Sequence, residues 1–187
     1  MFRHLFINTL ASAGAFFVIS IVGFLLIPVL VETYGLKEFG FIVLARLFLP
    51  SGVLVLFDFG FSEIATQSVA KARASRAWEE AAREVSILFL LALLSGLGLG
   101  IVLGAGAAPV ARLFGADDPH FAELLRATGA ALPVLFPAAV MEGIVKGYGA
   151  FRSLRLIEVL AALLYGLAAL ALARSGASYA SIAYALI

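Results

Sequence analysis

Cysteine is absent, and the sequence holds only two histidines, His4 and His120. Disulfides, thiol catalysis and cysteine-type zinc sites are thereby excluded, and two histidines are too few for a histidine metal cluster. Charge is scarce as well. Only 13% of the 187 residues are charged, about half the usual share, whereas 63% are hydrophobic. Soluble domains sit near 45–50% apolar. With a mean hydropathy of +1.09, a soluble chain would lack the polar surface to cover such a core. A lipid bilayer removes that problem. The net charge of +1 predicts no nucleic-acid or acidic partner, so what matters is where the charges lie.

Spanning a bilayer takes about 20 mostly apolar residues in a helix. Five stretches qualify, at about 10–31, 39–57, 85–108, 127–145 and 154–173. A sixth begins near Ser178 and stops at Ile187. Ten residues of helix reach only about 15 Å, half the hydrocarbon thickness. The expectation is therefore an all-α, multi-pass transmembrane bundle forming one domain over 1–187, with five full helices and a sixth that is cut short. Arg3 followed by an apolar stretch resembles a signal peptide. That stretch is longer than a typical h-region and ends in no small-x-small cleavage site, so it reads as the first spanning helix.

The connectors set the orientation. Arg3, Lys71, Arg73, Arg76, Arg83, Lys146, Arg152 and Arg155 fall on one side, whereas Lys37, Arg112, Arg126 and Arg174 fall on the other. The positive-inside rule then places the N-terminus in the cytoplasm. Glu32, Glu38, Asp117, Asp118 and Glu123 accompany the outer connectors. Trp78, Tyr148 and Tyr34 lie in connectors or at helix ends, as interfacial aromatics do. Ser62–Glu84 has no glycine or proline and reads as a cytoplasmic extension of the second helix leading into the third. Pro109–Leu125 reads as a short amphipathic piece broken at Gly115–Pro119.

Inside the spans, Gly96, Gly100 and Gly104 recur every four residues, as do Ala139, Gly143 and Gly147. Small residues at this spacing form flat stripes where another helix backbone approaches closely. Gly96–Gly100 is no nucleotide loop, because it follows no strand and does not satisfy GxGxxG. Pro28, Pro50, Pro133 and Pro137 fall in or near helix interiors. They fit ordinary kinks or hinges around a substrate cavity.

Few ionisable residues enter the spans. Arg46 sits about eight residues into the second helix, roughly 12 Å deep. A cation there costs at least about 2.5 kcal/mol on insertion scales. Either it snorkels or joins a structural ion pair, or it serves as the counter-charge of an anionic substrate. Pro50 lies one turn further along. Asp58 ends the second helix in Asp58-Phe59-Gly60, a kinase-like triplet with no other kinase element beside it. Glu142 has Lys146 at i+4, the favoured ion-pair orientation, and Glu158 has Arg155 at i−3. For both glutamates, structural pairing and proton or ion coupling stay open. No nucleophile–base–acid arrangement stands out, so the sequence points away from an enzyme, and no cofactor or metal is expected.

The segment Tyr34-Gly35-Leu36-Lys37-Glu38-Phe39-Gly40 forms a Tyr-Gly-x-x-Glu-Phe-Gly turn into the second helix. That helix closes with Phe57-Asp58-Phe59-Gly60-Phe61 and an Ala/Arg-rich segment. This pattern resembles the N-terminal part of Wzx-type polysaccharide flippases, of the MATE-like multidrug/oligosaccharidyl-lipid/polysaccharide exporter superfamily. Gly147-Tyr148-Gly149-Ala150-Phe151-Arg152 is similar to that family's connector between its fourth and fifth helices. The resemblance implies one lobe of a two-lobe transporter whose C-terminal lobe is missing from this sequence. It also implies flipping of undecaprenyl-pyrophosphate-linked oligosaccharide across the bacterial inner membrane, for O-antigen, capsule or exopolysaccharide. Arg46 would then face the diphosphate. The partners implied are membrane lipids, the lipid-linked oligosaccharide and polysaccharide polymerase machinery. Two alternatives fit the same residues. One is a MATE-like exporter of small organic cations, coupled to H⁺ or Na⁺ through Asp58 or Glu142. The other is a structural membrane partner or dimeric pore.

Overall fold

A computed structural model describes residues 2–47, 60–115 and 119–185. Among them every regular element is helical. The order is α1 (Phe2–Leu47), α2 (Phe61–Ser75), α3 (Trp78–Ala105), α4 (Ala107–Leu113), α5 (Pro119–Gly147), α6 (Phe151–Arg174) and α7 (Tyr179–Tyr184). Among the described residues four stretches are long and apolar enough to cross a membrane: Ser12–Leu44, Trp78–Ala105, Pro119–Gly147 and Phe151–Arg174.

The first of these is not one straight rod. Its 33 residues would measure about 50 Å, against a hydrocarbon layer of about 30 Å. The helix breaks at Gly35, whose φ of 82° and ψ of 164° are non-helical. A side chain rarely tolerates that backbone, so glycine is the residue that fits. The expected second helix therefore starts beyond this break. It is described only as far as Leu47, so Pro50 and Asp58 lie outside the described residues. So do Asp117, Asp118 and Ile187.

Several helices reach past their apolar runs. α3 starts at Trp78 rather than Val85, and α5 at Pro119 rather than Ala127. Hydropathy reads only the segment that lipid surrounds, whereas backbone hydrogen bonds continue through polar turns outside it. The 29 residues of α5 give about 43 Å of helix, longer than the hydrocarbon alone requires. α2 begins after Gly60, in the left-handed region, and is separated from α3 by Arg76 and Ala77. The expected outer amphipathic piece is the short α4, followed by α5.

The contacts divide the chain into two compact units, one comprising the chain up to Gly40 with the segment from Ala150 onward, the other Phe41–Gly149. In the first unit α6 packs on α7. Gly166 of α6 lies against Val22 of α1, where an added Cβ would stand 2.8 Å from Val22 Cγ1. The Tyr34 hydroxyl donates to the carbonyl of Ala177, 2.8 Å away, so the α1 break is tied to the α6–α7 turn.

In the second unit α5 is central, packed chiefly on α3 and α2 and also on α4. Leu124, Leu125, Thr128, Leu132, Phe136 and Val140 are buried, and the Thr128 hydroxyl is satisfied by Leu124 O at 2.9 Å. α3 turns one face inward, carrying Ala81, Leu88, Ala92, Gly96 and Leu103. Its other face exposes Leu90, Leu94, Leu97 and Ile101. So large an exposed apolar surface needs a partner, and acyl chains supply it. Helix association in lipid then depends on close van der Waals packing more than on hydrophobic burial.

Both glycine stripes meet partners. A Cβ on Gly96 would stand 2.5 Å from Leu132 O, and Gly100 lies against Gly129 O. Gly143 meets Ser62 and Ala65, and a Cβ on Gly147 would stand 2.6 Å from Val69 Cβ. Gly104 has nothing within 4 Å of such a Cβ. The receiving face on α2 is Ser62, Ala65, Val69 and Ala72, all buried. Its spacing of three and four residues is helical. Pro133 and Pro137 lie inside α5, which stays helical from Pro119 to Gly147.

Candidate functional site

Within the second unit, functional-type side chains gather at the two ends of α5. At its start, Phe41 stacks on Phe121, with ring centroids 5.1 Å apart. At the other end the α2–α3 connector meets the residues that follow α5. Trp78 stacks on Tyr148, with centroids 5.7 Å apart and planes 14° from parallel. Arg73 donates to the Tyr148 carbonyl at 2.6 Å. Gly149 follows at a φ of 75°, with room for the Arg73 guanidinium beside it. Gly147, Tyr148 and Gly149 of the connector motif therefore bring α2, α3 and α5 together. The sequence placed Arg73 and Trp78 in a connector on the same side, but not in contact with Tyr148. The one available signal was the interfacial placement of Trp78 and Tyr148.

A second set of contacts joins α2 to its neighbours. The Thr66 hydroxyl is 2.7 Å from Ser62 O and 3.0 Å from Gly143 O, so it bridges the close approach of α2 and α5. Ser68, itself buried, donates to the Glu84 carboxylate on α3. Lys71 pairs with Glu80 at 3.8 Å, with both side chains largely exposed. A cavity of about 410 Å³ is lined by Ile64, Gln67, Ser68, Lys71, Glu84, Ile87 and Leu88. A larger pocket of about 810 Å³ adjoins it, lined by Arg76, Trp78, Glu79, Glu80, Arg83, Glu84 and Ile87.

The residues singled out as site candidates fall at separate places. Glu142 pairs with Lys146 at 2.6 Å, and Glu158 with Arg155 at 2.6 Å, so each glutamate has the local partner its spacing indicates. The first pair lies in the second unit and the other in the first. Arg46 belongs by its backbone to the last turns of α1; its side chain lies outside the described residues. Asp58 also lies outside them. Of the motif residues, Tyr34 makes the bond to Ala177, and Gly35 and Gly60 have positive φ. Phe39 and Gly40 are half-buried. Among the described residues, no three His, Cys, Asp or Glu side chains come together as a metal site would require.

Apolar helices of spanning length, backbones in glycine-mediated contact and aromatics at the helix ends define a multi-pass α-helical membrane protein. Residues 29–187 match the family described as polysaccharide biosynthesis protein, and the chain belongs to that family. The resemblance to polysaccharide flippase-type proteins agrees with this match. No curated protein and no solved structure matches the chain.

Proposed function

We propose that the protein translocates a lipid-linked oligosaccharide, carried on undecaprenyl pyrophosphate, from the cytoplasmic to the outer leaflet of a bacterial inner membrane. The observation that carries this reading is the family match over residues 29–187 in a chain built from membrane-spanning helices. Polysaccharide biosynthesis needs sugar to cross a membrane, and a bundle of apolar helices is suited to transport rather than to bond-making chemistry. The N-terminus is proposed to be cytoplasmic, on the excess of Lys and Arg in the connectors of that side. In this arrangement the Arg73–Trp78–Tyr148 junction faces the cytoplasm, and the Phe41–Phe121 pair faces the outside.

Transport by alternating access needs a second lobe, as repeat-built transporters do. The chain is proposed to act as the N-terminal one. Arg46 is assigned the diphosphate, because a cation at that depth is costly unless an anion or a wet cavity meets it. The polysaccharide polymerase machinery is the proposed downstream partner. The cation-coupled exporter alternative would require a carboxylate free to exchange ions. The ion pairs of Glu142 and Glu158 make these two less suited to that task.

Complementation tests the proposal. Full-length protein should restore surface polysaccharide to a strain lacking its own flippase, and should deplete oligosaccharide-lipid from the cytoplasmic leaflet. Restored drug efflux without restored glycan export would point to the exporter instead.

A further inference from the structure

Different helices grip α5 along its two halves. In its first half Gly129 and Leu132 meet α3. A Cβ on Gly129 would stand 2.8 Å from Gly100 O, and one on Gly96 would stand 3.0 Å from Pro133 Cα. In its second half Gly143 and Gly147 meet α2, and Thr66 Oγ1 of α2 lies 3.0 Å from Gly143 O. Backbone atoms take part in both grips, so neither loosens by side-chain rotation.

α2 and α3 meet in another way. The α3 glycines with close neighbours, Gly96 and Gly100, face α5. Polar side chains bridge α2 to α3, Ser68 to Glu84 and Lys71 to Glu80. The cavity of about 410 Å³ lies between these two helices. Trp78, at the start of α3, stacks on Tyr148 just beyond α5. Such side-chain contacts can part and re-form while the backbone seats stay intact. The two helices are also not continuous, because Arg76 leaves helical geometry with a φ of 62°.

The weakest stretch of α5 falls between its two grips. Pro133 and Pro137 lie inside the helix. Neither has an N–H, so the carbonyls of Gly129 and Pro133 lose the donor four residues on. The first of these carbonyls sits against Gly100, where a Cα–H···O contact offsets part of the loss. The α3 grip ends at Pro133 and the α2 grip starts at Gly143, so Pro137 lies between them. A helix bends most readily where prolines interrupt its ladder of bonds.

We propose that α5 is a hinge. Its first half stays seated on α3, and its second half moves as one body with α2. Bending at Pro133–Pro137 then widens the cavity between α2 and α3. The Ser68–Glu84, Lys71–Glu80 and Trp78–Tyr148 contacts form the latch that closes it. The inference rests on packing within one unit and holds whatever the protein transports.

Paired nitroxide labels test it in full-length protein in lipid nanodiscs, with any cysteine beyond these 187 cysteine-free residues replaced by serine. Gln67→Cys and Ile87→Cys place labels on opposite walls of the cavity. Dipolar broadening of the spectrum should resolve a near and a far population. A hydrogen bond inside a membrane protein shifts an equilibrium by about threefold, so Pro133→Ala with Pro137→Ala should cut the far population roughly tenfold. Ser68→Ala removes a latch bond and should raise the far-to-near ratio about fivefold. A second label pair, Ile101→Cys and Ala130→Cys, uses exposed positions beside the Gly100–Gly129 contact. It should show one separation in every background. A far population at the cavity that ignores both prolines would overturn the proposal. So would one fixed separation there in the unmutated and Ser68→Ala proteins, or equal changes at the two label pairs, which would mean that α5 moves as a single rod. If the alanine variant is not recovered as a monodisperse protein, Ser68→Ala and the two label pairs still decide between these outcomes.

Discussion

Replacing Gly96 and Gly98 with alanine, one at a time, sets the packing argument against its own control. The two positions share a helix and differ in what surrounds them. A Cβ on Gly96 would stand 2.5 Å from Leu132 O, 2.9 Å from Leu132 C and 3.0 Å from Pro133 Cα. All three are backbone atoms of α5 and cannot rotate away. The helices must separate locally by roughly 1 Å, and overpacking of this kind costs about 1–3 kcal/mol. Alanine in place of a helical glycine returns about 0.5–1 kcal/mol. The net expectation for Gly96→Ala is a loss of about 1–2 kcal/mol on these terms. Gly98 has nothing within 4 Å, so Gly98→Ala should show only the propensity gain. In a chain of this size 1 kcal/mol moves the melting temperature by about 2–4 °C. Melting in detergent, followed by loss of the monodisperse size-exclusion peak, should fall by roughly 2–8 °C for Gly96→Ala. For Gly98→Ala it should stay level or rise. Equal shifts of the same sign would refute the claim that α3 and α5 meet backbone to backbone at Gly96.

Arg46→Ala in the full-length protein should abolish surface-polysaccharide export while leaving membrane insertion intact; normal export would remove its assignment to the diphosphate. Glu142→Gln breaks the 2.6 Å pair with Lys146, in which neither side chain is fully buried. It should cost no more than about 1 kcal/mol and leave export unchanged, whereas a folded but inactive variant would restore an ion-coupling role for Glu142. Tyr34→Phe removes the 2.8 Å hydrogen bond to Ala177 O, which should lower stability by about 1 kcal/mol. An unaltered melting temperature would show that this bond does not hold the α1 break to the α6–α7 turn.

Much of the architecture was legible because lipid imposes a length and a composition on any helix that crosses it. The apolar runs at 85–108, 127–145 and 154–173 lie within or largely within α3, α5 and α6. The local pairs of Glu142 and Glu158 were legible too, since i+4 and i−3 spacing is a property of one helix. Three features were not. α2 looked like a plain cytoplasmic extension because its inward face is Ser62, Ala65, Val69 and Ala72, whose small side chains carry little hydropathic contrast. The Arg73–Tyr148 and Ser68–Glu84 bonds join residues far apart in the chain, so no local pattern announces them. Residues 34–40 read as a turn from the Tyr-Gly-x-x-Glu-Phe-Gly pattern, yet the backbone departs from the helix at Gly35 alone.

Composition and hydropathy by themselves determined that the chain belongs in a bilayer and is helical. Hydrocarbon offers the backbone no hydrogen-bond partner, so each span must satisfy its own. The motifs led to the polysaccharide family. Tertiary structure alone decided which glycine meets which backbone, with Gly96 and Gly100 on α5 and Gly143 and Gly147 on α2. It also decided that Lys71 meets Glu80 and that Arg73 meets the Tyr148 carbonyl, whereas among the described residues Arg76 and Arg83 make no side-chain hydrogen bond or ion pair. Spacing along one helix sets the face a residue occupies, but the neighbour on that face comes from a distant part of the chain and is chosen by shape. The scarce charges that composition could only count thus acquired separate tasks once the helices were packed.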